Sequence, residues 1–226
     1  MKFAIGHVSG CPTDLEELQG RLTTARTEAA EGGSTSVFRV LDITVTTRLL
    51  LELAVLKYPE VPQYDPNNNE ITTNPVQRAA KFEVAMDLAA GRVEVVGGGV
   101  TALQAVADFL TELGYEGVLI EPIQIDPLVA LRSIQETYQL QVKSAQLKQW
   151  AYRSTITGEF KPKFEDTAGA IEFLEEVPAE SLKAVHCIVV HPDGKLRLQL
   201  TDQSIFTLSA KEDNLTLAQV LVRQLV

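Results

Sequence analysis

The sequence contains few cysteines, which could form disulfides, and no long apolar run, which could form a membrane helix. Only two of its 226 residues are cysteines, Cys11 and Cys187, which excludes a disulfide-stabilised scaffold. No apolar run approaches the roughly 18 residues that a membrane helix needs. The first residues carry too short an apolar run for a signal peptide. We therefore expect a soluble, cytoplasmic protein with no membrane partner.

Motifs of the common enzyme classes are also missing. The chain has no Walker loop, no G-x-S-x-G elbow and no H-E-x-x-H pair. Four carboxylates, Asp42, Asp87, Glu121 and Asp126, lie on or beside predicted strands, but no Glu-x-Lys pair completes a metal-dependent nuclease pattern. We accordingly predict a protein that is not an enzyme and that binds no cofactor.

Zinc is the metal for which the sequence offers a candidate ligand set. His7 and Cys11 are four residues apart, as are Cys187 and His191, and two such pairs could form a Cys₂His₂ site. However, Cys187 lies in an apolar strand, where a free cysteine is usually a small core residue. We predict that the protein holds no metal.

The overall charge is strongly negative. The formal net charge is −10, which favours solubility and opposes binding of nucleic acid or anionic membranes by the surface as a whole. Hydrophobic residues make up 45% and charged residues 22% of the chain, so a chain of this length can bury a sizeable core.

One segment departs from this acidic balance, and we name it the basic–aromatic stretch, residues 143–164. Its only acid is Glu159, and its five cations are Lys143, Lys148, Arg153, Lys161 and Lys163. It also contains the sole tryptophan, Trp150, together with Tyr152, Phe160 and Phe164. Cations interleaved with aromatics suit single-stranded nucleic acid, through phosphate neutralisation and base stacking. A second interpretation is a helix end whose lysines are solvated and whose aromatics pack inward. A third is docking of the stretch against the acidic residues that follow, 165–176, in this chain or in a partner.

A glycine turn organises the middle of the chain. The apolar strand 93–96 leads into Gly97-Gly98-Gly99, then into a helix from Thr101, and then into a second strand, 117–120. With Gly97, Gly99 and Ala102 at G-x-G-x-x-A spacing and Glu121 about 20 residues on, this stretch resembles the dinucleotide-binding fingerprint of Rossmann-type flavin and nicotinamide proteins. The resemblance implies a pyrophosphate at Gly97 and Gly99 and ribose hydroxyls at Glu121. The strand also follows another through a tight turn, which predicts an antiparallel hairpin.

The remaining periodicity predicts an α+β fold, with a mainly antiparallel sheet, packed helices and hairpin–helix units that are either duplicated or unrelated. The first half is expected to contain a strand at 2–9, a helix to about Ala30, a strand at 36–46, a helix or a continuation of that strand at 47–57, a surface loop at 58–75 and a hairpin at 79–96. We favour the helix at 47–57 because of its five leucines. The second half is expected to contain a helix capped by Asp126 and running to about Gln149, a short acidic helix at 167–177, strands between 183 and 208, and a last helix at 216–225. We place one α+β unit at 1–126, a connecting helix at 127–149 and a smaller α+β unit at 150–226, or all of these in one compact domain.

These observations lead to a functional hypothesis. We predict a binding or assembly subunit of a protein complex that engages nucleic acid or an acidic protein surface, or self-associates. The residues that would make this contact are Lys143, Lys148, Trp150, Arg153, Lys161 and Lys163. The alternative is a flavin- or nicotinamide-dinucleotide-binding protein that uses Gly97, Gly99 and Glu121.

Overall fold

The structure, a computed structural model, describes residues 2–10, 14–31, 36–46, 48–151, 157–192, 194–202 and 205–209. The strands, in chain order, are β1 (Lys2–Ser9), β2 (Phe38–Val45), β3 (Leu49–Lys57), β4 (Glu60–Asp65), β5 (Glu70–Pro75), β6 (Arg78–Asp87), β7 (Arg92–Val96), β8 (Leu119–Pro122), β9 (Gln139–Ala151), β10 (Thr157–Phe160), β11 (Leu182–His191), β12 (Gly194–Thr201) and β13 (Ile205–Ser209). The helices are α1 (Leu15–Ala30), α2 (Val100–Glu112), α3 (Pro127–Thr137) and α4 (Thr167–Glu175), with a short 3₁₀ helix at Ala179–Ser181.

The chain forms two compact units, each discontinuous in sequence. The first unit contains residues 7–97 and 101–120, and the second unit contains residues 1–6, 98–100 and the described residues from 121 onward. In both, strands pair antiparallel and helices pack on the sheet, which confirms the predicted α+β class. The predicted boundaries near 126 and 150 concern independently folding domains, which compactness alone does not test, so they stay a prediction.

The first unit is built on four antiparallel strands in the order β7-β6-β3-β2. The hairpin predicted at 79–96 is confirmed: Val84 of β6 pairs with Val95 of β7. The rings of Phe38 in β2 and Phe109 in α2 lie 5.4 Å apart, so α2 packs its apolar face against this sheet. The largest fully buried side chains of this core are Leu18, Leu22, Leu49, Leu53, Met86, Leu103 and Leu110.

The second unit carries a sheet in the order β10-β9-β11-β12-β13-β1. The predicted cap of α3 is confirmed, because the Asp126 carboxylate accepts hydrogen bonds from the backbone amides of Leu128 (2.8 Å) and Val129 (3.3 Å). Helices α3 and α4 pack against β9, with Leu131, Ile134 and Leu174 buried between the layers.

Two of the predicted helices are wrong in whole or in part. The helix predicted to run from Pro127 to Gln149 ends at Thr137, and the chain continues as strand β9. Of the two alternatives for 47–57, the favoured helix is wrong and the strand is found, as β3, which lies between β2 and β6 in the sheet. There, pairing on both edges and burial of alternate leucines outweigh the helical preference of leucine.

The segment 58–75 is at the surface as predicted, but it is not an irregular loop. It forms a separate two-stranded hairpin, β4–β5, in which Tyr64 lies opposite Ile71. Their exposed fractions are 62% and 73%. The turn is made by Asp65, whose carboxylate accepts a hydrogen bond from the amide of Asn67 at 2.9 Å, and by Asn69 with a φ of 54°.

The strands predicted between 183 and 208 are confirmed as β11, β12 and β13, with a tight turn between His191 and Gly194. The helix predicted at 216–225 lies outside the described residues. A duplication of hairpin–helix units stays a prediction, because its second helix is that segment.

Candidate functional site

The site centres on strand β9, which carries the first half of the basic–aromatic stretch. Residues Lys143, Lys161 and Lys163 are exposed. Lys148 is half-buried, and its ammonium lies 2.6 Å from the carboxylate of Asp202. The backbone of Trp150 pairs with Gly158 of β10. The side chain of Trp150 and the whole of Arg153 lie outside the described residues.

A β-bulge in β9 determines where Lys143 lies. In the pairing of β9 with β11, His186 lies opposite Ser144 and Cys187 opposite Val142. Lys143 is therefore the extra residue on β9. Bulges bend a strand and redirect side chains. Here Lys143 lines a groove on the sheet, while its neighbour Val142 is buried.

The chain after β10 extends the same sheet edge and brings Lys163 next to the bulge. The amide of Ala145 donates to the carbonyl of Pro162 (3.1 Å), and the amide of Phe164 donates to the carbonyl of Lys143 (3.0 Å). Lys163 lies directly opposite Ser144. Directly opposed residues of antiparallel strands share a face, so Lys163 lies on the face of Ser144, the residue that follows Lys143 in β9.

The described aromatic side chains of the stretch do not join that face in a stacking arrangement. The ring of Phe164 packs on Phe173 of α4, 5.6 Å between centroids, and Phe160 is half-buried. Helix α4 covers the opposite, apolar side of β9, where Thr167 Oγ1 accepts from the amide of Val142 and donates to the carbonyl of Leu140. Base stacking by Phe164, one part of the nucleic-acid hypothesis, is therefore not available in this structure.

Helix α4 docks on the basic–aromatic stretch of the same chain through apolar contacts such as that of Phe164 with Phe173 and, among the described residues, not through charge pairs. Glu175 of α4 forms its ion pair with Arg132 of α3. Within the described residues, no ion pair joins α4 to the cations of residues 143–164. The interpretation of the stretch as a helix end is wrong, because β9 is a strand.

Four polar or aliphatic residues that our sequence prediction missed complete the site. His186, Ile188, Arg197 and Gln199 line, with Lys143, a groove of about 420 Å³. The register of the β11–β12 hairpin explains their grouping, because His186 lies opposite Gln199 and Ile188 opposite Arg197. Pro192-Asp193-Gly194 is a turn-forming sequence. Counting residue pairs back along both strands from that sequence would have identified these four residues.

Strands β9, β11 and β12 contain no Asp or Glu, although the chain as a whole has 30. Their alternate, outward positions carry Lys148 on β9 and Lys195 and Arg197 on β12. With Lys143 and Lys163, these cations form what we call the basic sheet face. His186 is part of that face, and burial lowers the pKa of its imidazole.

The candidate zinc ligands are not brought together by the described residues. Cys11 lies outside them. Burial raises the pKa of the Cys187 thiol to about 12, which disfavours the thiolate that zinc requires. The imidazole of His191 packs on Tyr138 with 5.5 Å between ring centroids. Within the described parts of the chain, no three His, Cys, Asp or Glu residues are grouped to hold a metal ion.

The residues of the dinucleotide hypothesis lie on the elements expected for them. Gly97 and Gly99 lie between β7 and α2, and Glu121 is exposed in β8. Strand β7 pairs antiparallel with β6, as the tight turn predicted. A Cβ atom on Gly97 would lie 2.8 Å from the carbonyl oxygen of Lys81, so close packing against β6 already explains this glycine.

Three of the four candidate catalytic carboxylates have structural partners. Asp126 caps α3, and Asp42 lies 3.5 Å from the guanidinium of Arg26. Asp87 and the buried Glu94 both pair with Arg48, at 3.3 Å and 3.1 Å.

Comparison with known proteins adds no family: the sequence matches no protein-family model and no curated protein. None of the described helices is long and apolar enough to cross a membrane.

Proposed function

We propose that this protein is a non-enzymatic binding or assembly subunit of the cytoplasm, and that its basic sheet face docks an acidic surface of a protein partner or of a second copy. The observation that carries the proposal is the absence of acids from β9, β11 and β12 in a chain of net charge −10. A local positive surface on an acidic protein attracts an acidic partner and fixes its orientation.

An acidic protein suits this face better than nucleic acid does. A polyanionic strand would meet the field of the remaining, strongly acidic chain along most of its length. It would also find the ring of Phe164 packed against Phe173 rather than presented for stacking. A short acidic protein segment needs only the local cations and an aliphatic contact such as Ile188.

The proposal is tested by reversing two exposed cations that lie outside the groove, Lys163→Glu with Lys195→Glu. The probe is a fluorescein-labelled oligoglutamate peptide, and fluorescence anisotropy measures its affinity. Each reversed charge changes the interaction by about 1 kcal/mol at exposed distances, so binding should weaken about tenfold or more. The wild-type affinity should also fall as salt is added.

A matched control makes the same change of charge on the first unit, where Lys57 and Arg78 are exposed and lie opposite each other. Lys57→Glu with Arg78→Glu should leave binding within about twofold of wild type, since neither residue belongs to the acid-free strands. Equal losses in both variants, or no binding by wild type, would contradict the proposal. Tighter binding of an oligothymidylate of the same charge would favour nucleic acid instead.

The second candidate function is dinucleotide binding. The observation in its favour is that the strand, glycine turn and helix of the fingerprint do form, as β7, 97–99 and α2. An absorption spectrum of the purified protein should then show a flavin or nicotinamide band, and Gly99→Val should remove that band without unfolding the protein. A spectrum of protein alone would contradict bound cofactor.

A further inference from the structure

The groove on the basic sheet face combines several hydrogen-bond donors with no acidic group. Its lining side chains include the Lys143 ammonium, the Arg197 guanidinium, the His186 imidazole and the Gln199 amide, and none of the seven lining residues is Asp or Glu. With a volume of about 420 Å³, the groove is in the size range of sites for small ligands.

The two groove cations differ from the nearby Lys148 in their charge pairing. Among the described residues, neither Lys143 nor Arg197 forms an ion pair, whereas the nearby Lys148 is neutralised by Asp202 at 2.6 Å. Both are exposed, so they are held on the surface by the bulge and by the hairpin register rather than by an acidic partner. Such an arrangement favours an anion supplied from outside the chain.

We propose that this groove binds the phosphate group of a phosphate monoester. A phosphate carries between one and two negative charges near neutral pH and offers three acceptor oxygens. Two cations and two neutral donors match that charge and that number of acceptors better than they match a single carboxylate. Arg197 provides the planar fork that binds two phosphate oxygens at once, and Lys143 provides a point charge.

The apolar side of the groove, at Ile188, indicates where the carbon skeleton of the ligand would lie. Ile188 lies between Arg197 on β12 and Gln141 on β9 in the pairing of the strands. It is half-exposed, so an alkyl or sugar carbon next to the phosphate can cover it. The ligand class is therefore a small organic phosphate, or a phosphorylated side chain of a partner. This inference goes beyond the proposed function, because a free phosphomonoester needs no protein partner.

The test uses the full-length protein and isothermal titration calorimetry, with inorganic phosphate and O-phosphoserine as the two probes. Wild type should bind both saturably, and O-phosphoserine more tightly. Arg197→Gln should weaken binding about tenfold or more, since it removes a charge-assisted, two-pronged contact. Lys143→Gln should weaken it by a similar factor. The control is Lys195→Gln on the same strand, which removes one cation outside the groove lining and should weaken binding less than about threefold.

Equal losses in Arg197→Gln and Lys195→Gln would show a diffuse charge effect and overturn the site, as would no saturable binding by wild type. Because Arg197 is exposed, its variant should keep the wild-type circular dichroism. As a measurement that needs no variant, phosphate should shift the amide resonances of His186 and Gln199 in wild type more than those of the first unit, and shifts spread evenly over the chain would overturn the site.

Two further comparisons separate the sources of the phosphate and the two proposals. Tighter binding of a phosphoserine within an otherwise neutral peptide than of free O-phosphoserine assigns the phosphate to a partner protein, and equal binding assigns it to a small molecule. The Lys163→Glu, Lys195→Glu double variant should lose the oligoglutamate peptide yet retain saturable phosphate binding. Phosphate binding without peptide binding in wild type would leave the groove standing and contradict the docking proposal alone.

Discussion

Gly97 shows how one backbone position fixes the packing of the first unit. Its φ is 100°, and a Cβ atom would lie 2.8 Å from the carbonyl oxygen of Lys81. We expect Gly97→Ala to lower the free energy of unfolding by about 2 to 3 kcal/mol, because left-handed backbone costs about 1 to 2 kcal/mol in other residues and the contact adds to that. Urea denaturation measures the change.

Gly20 is the matched control for this substitution. It lies within α1, and a Cβ atom there meets nothing within 4 Å. Gly20→Ala should therefore raise the free energy of unfolding by about 0.5 to 1 kcal/mol, the usual gain in helix propensity. If both alanines had the same effect, the conformational argument for Gly97 would fail, and a ligand-binding role for that glycine would gain weight.

Arg48 holds two carboxylates from different strands. It pairs with Asp87 at the end of β6 and with Glu94 of β7, whose side chain is 3% exposed. We expect Arg48→Met to lower the free energy of unfolding by about 3 kcal/mol, since it leaves a buried carboxylate without its cation. Adding Glu94→Gln to that variant should recover part of the loss, because the amide carries no charge. Thermal or urea unfolding at neutral pH measures both.

The comparison for Arg48 is Arg26, which pairs with Asp42 at 3.5 Å where both side chains are about half exposed. Arg26→Met should cost less than about 1 kcal/mol, as solvated ion pairs do. A loss as large as that of Arg48→Met would show that burial of Glu94 is not the cause.

Individual site residues were predictable only where local sequence sets their position. Asp126 was recognisable as a cap because its carboxylate and the backbone amides that donate to it lie within four residues of sequence. Lys143 and Lys163 were found through local charge density, and the structure places Lys163 opposite Ser144, the neighbour of Lys143. Arg197 and Gln199 escaped because their place beside Lys143 depends on the pairing of β9 with β11, a non-local contact that charge counting along the chain does not detect.

The bulge in β9 also explains why a strand was predicted as a helix. Buried residues of this strand are Leu140, Val142, Ala145 and Leu147. The extra residue at 143 lengthens one interval from two to three, so the apolar spacing imitates a helix. In β3 the error has another cause: its composition favours helix, while Leu49, Leu51 and Leu53 are buried by strict alternation between two neighbouring strands.

Two hairpins were the elements most completely predicted. The β6–β7 hairpin and the β11–β12 hairpin each combine two alternating runs with a short glycine-containing turn, and turn and alternation point to one register. The β4–β5 hairpin was missed because its residues, apolar ones such as Tyr64 and Ile71 included, are nearly all exposed. Such strands have no burial pattern, so the prolines and asparagines suggested a loop.

The chain passes more than once between its two units, and strand β1 is divided between them. Residues up to Gly6 belong to the second unit and residues from His7 to the first. Because neither unit is one continuous segment, we expect the chain connections between them to couple their unfolding. We therefore expect a single cooperative unfolding transition for the whole chain.

Two core truncations, one in each unit, test this coupling. Leu53 in β3 and Leu131 in α3 are both fully buried, and Leu→Ala should cost about 2 to 5 kcal/mol in each case, from lost transfer energy and the cavity left behind. If the units unfold together, either variant shifts one common urea midpoint, and tryptophan fluorescence and far-ultraviolet circular dichroism give the same curve. If Leu53→Ala moved one transition and Leu131→Ala another, the units would be independent domains and the chain connections would not couple them.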